Sequence, residues 1–148
     1  MTDVPTPAIE FRVAATAHNT AVLGDVVTSG REKGPNIAIE ASNGLIFADL
    51  NINTQGNTSF AAAGIELKFG DQFFWRPGLG LAVHNGKIDG GRDDLKFGSR
   101  LLIYARWDFG IQFDDMSVAL RLEHLSNGGG PRINNGLDNW GVVVSKKF

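Results

Sequence analysis

The chain has 148 residues, enough for one domain, with 14 basic and 16 acidic side chains and no cysteine. These values exclude disulfide scaffolds, thiolate metal sites and cysteine nucleophiles, and they leave no basic excess that would suggest a nucleic-acid partner. Glycine is abundant at 19 residues, and no apolar run reaches the ~18 residues of a transmembrane helix. Met1–Pro5 lacks the charged start and apolar stretch of a signal peptide, so an exported protein would carry this sequence as its mature chain.

Period-two alternation dominates and helical periodicity is nearly absent. In chain order, alternation predicts strands over 9–15, 37–41, 46–52, 61–69, 73–83, 99–113, 116–122 and 140–144. The clearest is 99–113, with Leu101, Ile103, Ala105, Trp107, Phe109, Ile111 and Phe113 on one face and Arg100, Tyr104, Arg106, Asp108 and Gln112 on the other. Short turns fall at Ser42–Gly44, Gly70–Gln72 and Asp114–Asp115. Longer Gly/Asn/Asp-rich connections occupy 17–35, 85–98 and 127–138, with a shorter one at 54–58. The pattern is an eight-stranded antiparallel up-and-down meander forming one all-β barrel domain over 1–148, tight turns at one end and larger loops at the other.

Such a barrel has either an apolar cavity in a soluble protein or an apolar exterior in a membrane. The charged face carries Arg12, Lys68, Arg76, Arg100, Arg106 and Arg121 against Glu10, Glu40, Asp49, Glu66, Asp108 and Glu123. Six charges of each sign suit a narrow lumen, where an unpaired ion costs several kcal/mol. Arginine outnumbers lysine five to one in that set, which suits fixed bidentate pairing. The opposite face is apolar over strands near the ~9–11 residues that span a tilted bilayer crossing. The expected fold is therefore a transmembrane barrel with a polar lumen. Phe73, Trp75, Phe113, Trp140 and Phe148, near strand ends, are expected at the membrane interfaces.

One histidine breaks the pattern. Along the seventh strand the apolar face runs Met116, Val118, Leu120, Leu122, then His124 and Ser126. Two residues apart on one face, their Cα atoms lie ~6.5–7 Å from each other, within reach of a hydrogen bond between imidazole and hydroxyl. On the next strand Asp138 shares a face with Trp140 and Val142. A hairpin carrying serine, histidine and a carboxylate has the parts of a nucleophilic triad, although an emerging strand end accounts for His and Ser equally simply. Asp115 and Glu123 are poorer carboxylate candidates, one at the opposite end and the other facing the lumen. His18 and His84 stand alone near loop ends, where surface or network roles fit, and no second histidine at ligand spacing supports a metal site.

The segment Leu122-Glu123-His124-Leu125-Ser126-Asn127, followed by a Gly/Pro/Asn-rich loop and a last strand ending in Phe148, resembles the PagL-type outer-membrane lipid A 3-O-deacylases. The resemblance is strongest over about 120–148. It implies an H-x-S-N motif in which His124 and Ser126 are catalytic. An acidic residue fourteen positions after the histidine completes the triad, which here is Asp138, where the family pattern carries glutamate. The resemblance further implies the Asn134 side chain and the Gly129 backbone N–H as oxyanion donors. Gly128-Gly129-Gly130 would allow a close backbone approach, as would any flexible hairpin loop. Asn127 fits a loop-orienting role.

The implied activity is a serine esterase that releases the 3-hydroxyacyl chain at position 3 of lipid A, without a cofactor. The implied location is the outer membrane of a Gram-negative bacterium, with the site facing the outer leaflet and with lipopolysaccharide and outer-membrane lipids as partners. Subunit number stays open between monomer and homodimer. Arg31, Lys33, Lys87, Arg92 and Arg132 are either solvated loop charges or contacts for lipid A phosphates. A non-catalytic structural or adhesive barrel and a soluble lipid-binding barrel remain the alternatives.

Overall fold

The computed structural model describes residues 7–20, 32–89, 96–129 and 135–148. Eight strands form a closed barrel in chain order: β1 (Glu10–Ala17), β2 (Pro35–Ser42), β3 (Ile46–Asn53), β4 (Phe60–Glu66), β5 (Phe73–His84), β6 (Leu101–Phe113), β7 (Met116–Ser126) and β8 (Leu137–Lys147). Each pairs antiparallel with the next, and β8 closes on β1 from Glu10↔Lys147 to Ala17↔Trp140. Closure leaves no strand edge to satisfy, which a bilayer demands.

The strand set agrees with the alternation pattern, most ends shifting by one or two residues; β7, β4 and β8 differ by more, with β7 running on from 122 to Ser126 where polar His124 and Ser126 break its apolar face. β4 ends at Glu66 rather than 69, because Leu67 donates to the Pro77 carbonyl at 3.1 Å and Pro77 has no N–H to return. β8 runs well past 140–144 at both ends. Its flanks Asp138, Asn139, Ser145 and Lys146 are polar and hide the alternation.

The faces sort as a membrane barrel requires. Ile39 is 62% exposed whereas Arg106 is 0% exposed. The outer wall presents Phe11, Val13, Leu50, Ile65, Leu79, Leu101, Leu120 and Val142, so a soluble barrel with an apolar cavity is excluded. Exposed aromatics gather at strand ends, with Phe69 stacked on Trp75 at 5.4 Å and Phe11 edge-on to Phe148 at 5.8 Å.

Ion pairs fill the middle of the lumen. Arg12 binds Glu10 at 2.6 Å, Glu66 at 2.6 Å, and Glu40. Arg76 bridges Glu10 and Asp108, each at 2.9 Å, and Arg121 holds Asp108 at 2.7 Å and Glu40 at 3.1 Å. Arg106 reaches both Glu40 and Glu66. The expected six-to-six balance is not what the lumen holds. All six acids are buried there, but only four arginines join them. Lys68 sits by a turn with Nζ 2.8 Å from Gln112 Oε1, and Arg100 donates to the His84 and Gly86 carbonyls at the loop end. Two inward apolar clusters share the interior. Phe47, Phe60, Phe97, Leu102, Tyr104, Leu125 and Leu137 belong to one, and Ala14, Ala38, Phe74, Ala119 and Val143 form the other.

Candidate active site on the outer wall

Strand alternation places the candidate side chains outside. Glu123 and Leu125 point into the lumen and are fully buried, so His124 and Ser126 continue the lipid-facing row of Met116, Val118 and Leu120. His124 stands opposite Ala105 on one side and Asp138 on the other. Its Nδ1 lies 2.6 Å from Asp138 Oδ1. The imidazole side chain is 37% exposed and the carboxylate only 8%, so the ring keeps its far edge accessible. With Nδ1–H donated to the carboxylate, Nε2 is left as the acceptor that a serine proton needs.

The Asp-for-Glu exchange is accommodated by register. Directly opposed residues in an antiparallel pair have Cα atoms only ~4.5–5.5 Å apart, so the shorter side chain still reaches the ring. Ser126 lies one outward position further along, opposite Ile103, and its hydroxyl has no hydrogen-bond partner among the described residues. Catalytic hydrogen bonds are commonly loose before substrate binds.

The loop after β7 is held by Asn127. Its side chain donates to the Phe97 carbonyl at 2.8 Å and accepts the Gly129 N–H at 2.9 Å. Gly128 and Gly129 both have positive φ, 74° and 80°, which suits glycine. Asn134 lies outside the described residues, as do Arg31, Arg92 and Arg132. The neighbouring Asn135 exchanges two hydrogen bonds with Lys96, at 2.9 and 2.8 Å, which joins the last loop to the one before β6. Gly136, at φ 66°, approaches the imidazole: a Cβ there would stand 3.6 Å from His124 Cε1.

Of the remaining candidates, Glu123 faces the lumen and Asp115 sits at the turn end, 3.7 Å from Lys146 Nζ. His18 and His84 are buried network residues rather than surface ones. His18 contacts Glu32 at 2.8 Å and Asn36 at 3.0 Å, while His84 donates to the Ser99 carbonyl at 2.7 Å and lies 4.5 Å from the Phe97 ring. Burial by itself would raise the Glu32 carboxyl, but hydrogen bonds from His18 and Thr58 bring it below the usual range. Lys33 is exposed, and the main chain at Lys87 accepts from Phe97 N–H at 3.0 Å. Among the described residues no group of three or more His, Asp, Glu or Cys could hold a metal ion. Sequence reading missed Phe97, a loop residue whose ring is fully buried in the lumen. An isolated aromatic in the Gly/Asp-rich stretch before β6 was its only signal.

An eight-stranded transmembrane barrel with a histidine–aspartate pair beside a serine on its outer wall falls in the class of outer-membrane barrels. Residues 5–147 match the lipid A 3-O-deacylase (PagL) family, and the chain belongs to it. Among solved structures, the crystal structure of the outer membrane enzyme PagL superposes with a TM-score of 0.63 and 19% identity, covering 94% of this chain and 98% of that one. Neisserial surface protein A (NspA) gives a TM-score of 0.60 and 18% identity, with 97% and 98% covered. No curated protein matches this sequence.

Proposed function

We propose that this chain, a lipid A deacylase by family, acts as a serine esterase whose triad is Ser126, His124 and Asp138. The observation that carries the reading is the 2.6 Å contact between His124 Nδ1 and Asp138 Oδ1, outside the barrel and on the same face as Ser126. Ser126 Oγ attacks the carbonyl carbon of the 3-hydroxyacyl ester at position 3 of lipid A while His124 Nε2 takes its proton. Asp138 fixes the tautomer and stabilises the imidazolium. The tetrahedral intermediate then expels the sugar oxygen, which receives the proton from His124 and leaves an acyl-Ser126. Water, deprotonated by the same imidazole, releases the fatty acid and restores the serine.

Oxyanion stabilisation falls to the Gly129 N–H and the Asn134 side chain. The Gly129 amide already points at an oxygen acceptor, Asn127 Oδ1, so the ester oxygen would take that partner's place. One such donor is worth roughly 3–4 kcal/mol of transition-state stabilisation. The loop end faces the outer leaflet, from which a lipid substrate enters sideways without leaving the membrane. Lipopolysaccharide is thus both surroundings and substrate, and its phosphates are the anions that the loop cations Lys33 and Lys87 would meet. The chemistry needs one chain only, so a homodimer would be an assembly of complete sites.

A non-catalytic barrel is the second reading, kept open by the aspartate that stands at position 138 where the family pattern carries glutamate. The two part on Ser126→Ala. Fatty-acid release from lipid A should vanish while the heat-modifiable mobility of the folded barrel is kept. Release that survives the substitution overturns the nucleophile assignment.

A further inference from the structure

The outward pair His124 and Asp138 has an inward counterpart. Each catalytic residue is half of a dipeptide, Glu123-His124 on β7 and Asp138-Asn139 on β8, and the inner halves are also paired in register, Glu123↔Asn139. Both inner side chains are fully buried in the lumen. Asn139 Nδ2 donates to Glu123 Oε2 at 3.1 Å, so the two dipeptides are joined on both faces of the barrel wall.

Glu123 is itself fixed by the Tyr104 hydroxyl, which donates to its Oε1 at 2.9 Å. Asn139 does a second task. Its Oδ1 accepts the Asn19 N–H at 3.0 Å, and the next amide, Thr20 N–H, donates to the Asp138 carbonyl at 2.8 Å. Regular pairing of β1 with β8 stops at Ala17↔Trp140, two residues short of Asp138. Asn19, at φ 52°, turns the departing chain so that these two bonds extend the support to the residue carrying the carboxylate.

We infer that Asn139 is a positioning residue for the esterase: it holds the β7–β8 register and the Asp138 main chain so that the carboxylate stays on His124 Nδ1. This rests on the triad reading above. Asn139 touches neither substrate nor the reacting atoms. Misplacing a catalytic group by about 1 Å costs up to about 100-fold in rate, so the expected effect falls on kcat.

Asn139→Asp tests this, because it keeps the shape and the acceptor for Asn19 N–H but sets a second carboxyl group against Glu123 where the amide N–H donated. At equal folded fraction, judged by heat-modifiable mobility, kcat should fall about 10- to 100-fold with KM unchanged. The ring N–H resonance of His124 in nitrogen-15-labelled protein in micelles should move upfield from its hydrogen-bonded position. Adding Glu123→Gln reverses the polarity of the bridge, with Gln Nε2 donating to the new carboxylate, and should restore both kcat and the resonance. If Asn139→Asp does not fold, Asn139→Ser, too short for the bridge, takes its place with the same expected losses.

Unchanged kcat and resonance in the single variant would overturn the inference, as would a double variant no better than the single. The resonance needs no turnover, so it separates the two ideas. A wild type inert toward lipid A sinks the esterase reading, whereas an active wild type that is lost in Ser126→Ala but indifferent to Asn139→Asp sinks only the positioning role.

Discussion

Asp138 reaches His124 because the two stand directly opposite across an antiparallel pair, where one fewer methylene is no handicap. In the proposed triad the carboxylate holds one tautomer and balances the imidazolium. Asp138→Asn should therefore leave the barrel folded and lower kcat by about 10³–10⁴-fold, read as initial rates of fatty-acid release. Loss of less than tenfold would mean that the contact is structural. His124 and Ser126 were legible in sequence because two polar residues interrupted an otherwise apolar row at one strand end. The partnership of Asn139 with Glu123 was not. Both look like ordinary lumen residues until the register of two strands is known, and register is a tertiary fact.

At the level of elements, alternation showed all eight strands because every strand divides lipid from lumen. It failed where both faces are polar, at the ends of β8, and where Pro77 withholds a ladder donor from the end of β4. The loops carried no such rhythm. The stretch before β6 reads as a solvated Gly/Asp-rich connection, yet Phe97 is buried in the lumen in one cluster with Tyr104, Phe60 and Leu125, and its carbonyl holds Asn127. Phe97→Ala should cost about 3–5 kcal/mol of stability, measured by denaturant unfolding in micelles, and should free the loop bearing Gly129. A loss below about 1 kcal/mol would show that the ring is not an anchor.

For the whole molecule, the inside-out sorting of charge and grease makes opposite forecasts for the two faces. Leu120 lies midway along the lipid face of β7, and Leu120→Arg should cost about 2–4 kcal/mol in bilayers. Arg12 contacts Glu10, Glu40 and Glu66, and Arg12→Met should cost about 3–5 kcal/mol, since three buried carboxylates lose a shared partner. Refolding equilibria in lipid vesicles check both, and a neutral Leu120→Arg would contradict the membrane orientation.

The sequence pattern made that orientation readable but miscounted its ions. Lys68 and Arg100 alternate onto the lumen face, yet lie at the two ends of the barrel, where strand rhythm no longer tells inside from rim. The most direct test of the account is mass spectrometry of lipid A after incubation with the folded wild-type barrel and with its Ser126→Ala variant. The wild type should remove the mass of one 3-hydroxyacyl chain and the variant none; an unchanged lipid A spectrum from the wild type would contradict it.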